Sequence, residues 1–95
     1  MLIKKSDQYK EQLKVILEFI AKDKLSAMLK FRKDLNIQIN NIIIMPHKHR
    51  KSIYHSDENV RDMIYKGHTI IYKIYENHIN IVEIFNQNLP VGKGK

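Results

Sequence analysis

The chain has 95 residues, is 43% hydrophobic, contains no cysteine, and carries 17 Lys and Arg against 10 Asp and Glu for a formal charge of +7. That length leaves room for one domain around one core, and the lack of cysteine excludes a disulfide framework, a thiolate metal site and a cysteine nucleophile. Met1-Leu2-Ile3-Lys4-Lys5 turns charged at once, unlike a signal peptide, and no apolar run approaches the roughly 18 residues of a membrane span. The expectation is a cytoplasmic protein with acidic or polyanionic partners.

Residues 2–4 read as a short edge strand. Ser6 then offers an N-cap hydroxyl and Asp7 puts negative charge in a first helical turn, where the helix dipole favours it. Tyr9, Leu13, Ile16, Leu17 and Ile20 recur at helical spacing, which predicts a helix over 7–22. Asp23 looks like the next N-cap. Leu25, Met28, Leu29, Arg32, Leu35, Ile39, Ile42 and Ile43 continue at steps of three and four, with the Arg32 stem lying along the surface. Pro46 ends that helix near residue 44. The link between the helices is so short that they must form an antiparallel hairpin.

Beyond Pro46 the period changes. Residues 46–58 are polar and irregular, and Val60 to Tyr65 alternate as a strand. Lys66-Gly67 signals a two-residue turn, Ile70 to Tyr75 is a second strand, Glu76-Asn77 a second turn, and Ile79 to Phe85 a third strand. Residues 89–95 have turn composition and are expected to fray. The order gives an α+β fold: an N-terminal strand and a helical hairpin packed on one face of a three- to four-stranded, mainly antiparallel sheet. We read 1–95 as a single domain.

The densest chemistry is the run His47-Lys48-His49-Arg50-Lys51, five consecutive cationic or protonatable side chains that repel one another. With Arg61 on the following strand they form the candidate surface for an acidic partner. His68, Tyr54, His55 and Tyr72 are the acids and bases within reach of the same sheet. For each a plainer role exists: Tyr72 as a core aromatic, His68 as an exposed turn residue, and Arg61 as a salt-bridge partner of Asp62, Glu58 or Glu83. His78 has no evident partner. His47-x-His49 with His55 is too loose a spacing, among too many cations, for a metal site. No helix combines a basic face with a helix-turn-helix signature, so direct DNA contact is not expected, and nothing calls for a cofactor.

Four segments carry a family resemblance. They are Arg50-Lys51-Ser52-Ile53-Tyr54, Asn59-Val60-Arg61-Asp62-Met63-Ile64, and Gly67-His68-Thr69-Ile70-Ile71-Tyr72-Lys73-Ile74, followed by the closing Ile84-Phe85-Asn86-Gln87-Asn88. In this order, over about residues 2–88, the chain resembles the RelE/ParE superfamily of type II toxin–antitoxin toxins. The resemblance implies a toxin neutralised by a small, often acidic antitoxin that folds over its helices and sheet. It also implies one of two targets, because the RelE-like branch cleaves messenger RNA on the ribosome and the ParE-like branch inhibits DNA gyrase.

Cleavage by a 2′-hydroxyl needs a base, cations on the phosphate and an acid for the leaving oxygen. The cations are present. The position after Gly67-His68 where RelE-like enzymes carry arginine is Thr69, and the last strand runs out as Phe85-Asn86-Gln87-Asn88, none of which exchanges a proton near pH 7. The sequence therefore favours the ParE-like, non-catalytic branch. Were the chain a ribonuclease, Arg61, His68, Tyr72 and Lys51 would carry the reaction. A third reading is a degenerate, non-toxic module that only binds an antitoxin.

Overall fold

The computed structural model describes residues 1–86; the expected fraying of 89–95 lies outside them. Strand β1 (Leu2–Lys5) leads into helix α1 (Asp7–Asp23) and helix α2 (Leu25–Asn40). Strands β2 (Arg50–Lys51), β3 (Val60–Tyr65), β4 (His68–Ile74) and β5 (His78–Asn86) follow. The sheet has five strands in the order β1-β5-β4-β3-β2, with β1 parallel to β5 and every other pair antiparallel. The expected α+β class holds, with one strand more than expected. The addition is β2, whose two residues are both basic and gave no strand signal.

Ser6 is the joint between sheet and hairpin. Its backbone N–H donates to the Ile81 carbonyl at 2.9 Å, its hydroxyl donates to the Val82 carbonyl at 2.6 Å, and the same oxygen accepts the Tyr9 N–H at 2.9 Å. The register explains why Val82 needs this partner. Ile71 pairs with Glu83 and Tyr72 with Ile81, so Val82 is the extra residue of a bulge and has no rung of its own. Six residues along α1, the Gln12 side chain accepts the Ile84 N–H at 2.8 Å. The helix is thus tied to β5 on both sides of the bulge.

The hairpin is tighter than expected. Asp23 closes α1, and Lys24, in an extended conformation, is the sole residue between the helices; its N–H still bonds to the Ile20 carbonyl. Asp23 therefore does not cap α2, which starts without a side-chain cap. At the other end α2 stops at Asn40, and Asn41–Ile43 tighten into a 3₁₀ turn ahead of Pro46. Such tightening is common where a helix gives out, and it buries Ile42 while leaving Ile44 exposed.

Between β3 and β4, Lys66 and Gly67 both have positive φ, 46° and 78°. Two such residues define the tight hairpin whose twist matches the strands it joins. The turn fixes Tyr65 opposite His68 and hence every rung after it. One sheet face presents Met63, Ile70, Tyr72, Ile79, Ile81 and Ile84 to Tyr9, Phe31, Leu35, Ile39 and Ile42 of the helical layer, forming one core. No helix among the described residues is long and apolar enough to cross a membrane.

Replacing Ser6 by Ala removes the N-cap acceptor and the donor to Val82 together. We expect a loss of about 1–2 kcal/mol in urea denaturation, with early amide exchange at Tyr9 and in β5. A stability within a few tenths of wild type would show that the joint is not needed.

Candidate functional site

Because side chains alternate along a strand, Arg61 and Asp62 face opposite sides of the sheet. This decides what each of them does. Asp62 turns to the outer face, where it is buried. One of its carboxylate oxygens accepts from the Arg50 Nε at 3.3 Å and from the Ile53 N–H at 3.1 Å. The Arg50–Asp62 ion pair has a fully buried carboxylate and a half-exposed guanidinium, so the arginine offsets a desolvation cost and keeps one side towards solvent.

Arg61 turns to the helix-side face and pairs with none of the three carboxylates expected for it. It bonds to backbone carbonyls instead. Its Nε donates to Glu58 at 3.1 Å, and one terminal nitrogen donates to His47 at 3.3 Å and to His49 at 3.1 Å. Tyr72, opposite Arg61 in the register, donates its hydroxyl to the Pro46 carbonyl at 2.6 Å. The side chain of Tyr72 is fully buried, and burial pushes its phenol up to about 12, with the nearby Arg61 charge pulling slightly the other way. Arg61 and Tyr72 together hold the segment 46–49 against the sheet edge.

The cationic side chains point away from these anchors. His47, Lys48, Arg50 and Lys51 are exposed, and among the described residues the ion-pair partner of Lys51 is the solvent-exposed Glu58, at 3.8 Å. A pair of that kind contributes little. His49 is half-buried with its ring edge-on to Tyr72 at 6.1 Å, and burial, helped by Lys48, holds its imidazole below the usual range. The run therefore turns Lys48, Arg50 and Lys51 to solvent, with the half-buried His49 beneath them.

Of the four residues named for a ribonuclease, three are brought together and His68 is not. Lys51, Arg61 and Tyr72 share one rung across β2, β3 and β4. His68 lies four residues from Tyr72 along β4, roughly 13 Å at strand spacing. Its Nδ1 sits 3.0 Å from the Lys66 carbonyl, and its ring packs edge-on against Phe31. Thr69 is fully buried, level with Ile64 and Phe85. Among the described residues no group of three or more His, Cys, Asp or Glu is placed to hold a metal ion, and His47, His49 and His55 form no such group.

The partner of Arg50 and the acceptors of Arg61 were missed in the sequence. Strand parity could have found the first, since Asp62 must face away from Arg61. Backbone carbonyls leave no mark in a sequence, so the second had no signal. The outer face also receives Tyr54, whose ring meets Phe85 edge-on at 5.2 Å, and Asp57, which pairs with Lys73 at 3.1 Å.

The family model described as the ParE toxin of the type II toxin–antitoxin system parDE matches residues 3–88. The chain belongs to the ParE toxin family. Membership implies a cognate antitoxin partner. The fold is similar to that of the chromosomal ParDE TA system from P. aeruginosa, with a TM-score of 0.75 and 16% identity, covering 90% of this chain and 95% of that one. No curated protein sequence matches the chain. The resemblance read from residues 2–88 is thereby upheld on its ParE-like side.

Replacing Tyr72 by Phe keeps the ring in the core and deletes the bond to Pro46. We expect a loss of about 1 kcal/mol in denaturant titration. It should come with faster exchange of the Lys48 amide, which bonds to the Met45 carbonyl at the start of the loop. Unchanged stability and exchange would mean that the loop holds its place without Tyr72.

Proposed function

We propose that the chain is a ParE-like toxin that inhibits DNA gyrase by binding it, without chemistry of its own, and that an acidic antitoxin neutralises it by covering its cationic surface. The observation that carries this reading is the occupation of Arg61 and Tyr72. Both are committed to the carbonyls of 46–49 and 58, and a phenol raised to about 12 is a poor acid for a leaving oxygen. His68 stands at the other end of β4. What remains at the surface is a row of cations fixed on a rigid sheet edge, which suits electrostatic recognition of an acidic protein segment. Such a target places the work of the protein in the cytoplasm.

Purified protein is expected to inhibit gyrase supercoiling and to leave messenger RNA on translating ribosomes uncut. Reversing charge at the exposed Lys48 and Lys51 should weaken antitoxin binding about tenfold at low salt, with the difference shrinking as salt rises. Ribosome-dependent cleavage lost on changing His68 or Arg61 to Ala would establish the RelE-like alternative. Harmless expression without the antitoxin would instead point to a binding module with no target.

A further inference from the structure

Helices α1 and α2 leave a groove of 410 Å³ between them, which the cationic loop does not line. Its floor is apolar and half-buried, formed by Leu13, Leu17 and Ala21 of α1 and Met28 of α2. Its rim is exposed and basic, with Lys5, Lys10, Lys14 and Arg32 against the carboxylate of Glu18. None of these four cations has an ion-pair partner among the described residues. Lys24 alone joins the helices, so distance from that link orders the lining along the groove. Ala21 and Met28 stand nearest the link with Glu18 beyond them, and Arg32 and Lys14 stand midway. Lys5, Tyr9, Lys10 and Asn36 stand furthest from it. The groove is therefore apolar at one end and cationic at the other. Tyr9 is wholly buried at the cationic end, and its hydroxyl has no hydrogen-bond partner among the described residues. Such a group costs stability until an acceptor reaches it.

We propose that this groove binds one free amphipathic anion, a single-chain carboxylate with an acyl tail. Its head sits among Lys5, Lys10 and Arg32, and its tail lies on Leu13, Leu17 and Met28 towards the link. Three observations select this occupant. The first is charge: the unpaired cations leave the link end to apolar side chains and Glu18, so a ligand charged at one end matches the groove. An acidic helix laid along it would carry charge over Glu18 as well and be repelled there. A carboxylate head is also the kind of acceptor that the Tyr9 hydroxyl lacks. The second is size. Tyr9 to Ala21 spans about 18 Å of helix, the length of an extended acyl chain of medium length, and the volume lies within the range of small-molecule sites. The third is depth: the floor is sunk below the charged rim, so the tail enters the protein and the helices do not enter a bilayer. Such binding is independent of what the protein inhibits.

The test is titration of the full chain with dodecanoate, kept below its micelle concentration and followed in methyl spectra. Saturable shifts of the Leu13, Leu17 and Met28 methyls are expected, while the Ile71 methyls on the other sheet face stay in place. Changing the exposed Lys10 and Arg32 together to Gln should weaken binding about tenfold at low salt. Ala21→Leu, which fills the link end, should weaken dodecanoate and spare the shorter octanoate. Shifts that never saturate, equal shifts with dodecyltrimethylammonium, or an affinity unchanged in the Lys10 and Arg32 variant would overturn the proposal. Binding to phosphatidylglycerol vesicles without binding of the monomeric anion would overturn it too, because a membrane surface would then be the occupant.

Discussion

The arrangement of the cationic edge depends on one exchange: Arg61 and Tyr72 give their hydrogen-bond donors to the carbonyls of the chain that carries the cations. Five consecutive cationic or protonatable side chains oppose compaction, since each raises the electrostatic cost of the next. Backbone carbonyls are the natural counterweight, being dipoles that need donors wherever they are shielded from water. The Arg61 guanidinium meets three of them, and the buried Tyr72 phenol meets a fourth. The loop is pulled inward by its backbone and keeps its charges outward.

The same exchange bears on chemistry. An arginine that spans three carbonyls and a phenol sealed in the core are well placed to hold a shape and poorly placed to follow a reacting phosphate. Asp62 reinforces the arrangement from the other side of the sheet by fixing Arg50 and the Ile53 amide. Two consecutive residues, Arg61 and Asp62, therefore secure the two ends of the basic run on opposite faces. That division of labour holds the basic run in place from both faces of the sheet.

Much of the fold was legible because local signals agreed with one another. Helical spacing from Tyr9 to Ile20 and from Leu25 to Ile39, the alternation of 60–65 and the Lys66-Gly67 turn each had a single consistent reading. The residues that escaped were governed by distant partners. Strand β2 exists because Arg50 and Lys51 meet β3, and nothing in two basic residues announces a strand. Asp23 was read as a cap because its type favours caps, yet α1 runs one residue further, to Asp23 itself, and the Lys24 N–H closes it on the Ile20 carbonyl. At the surface, the cations were legible as a cluster. Their anchoring was not, because it runs through main-chain oxygens.

The central claim is that Arg61 is fixed, and its own side-chain N–H is the most direct probe. In a nitrogen–proton correlation spectrum of the folded protein, the Arg61 Nε–H should persist at neutral pH with slowed solvent exchange, as expected for a proton held on the Glu58 carbonyl. The exposed Arg32 serves as the internal reference. Exchange of the Arg61 signal as fast as that of Arg32 would contradict the account, since a guanidinium free enough to lose its proton to water would also be free to act on a substrate.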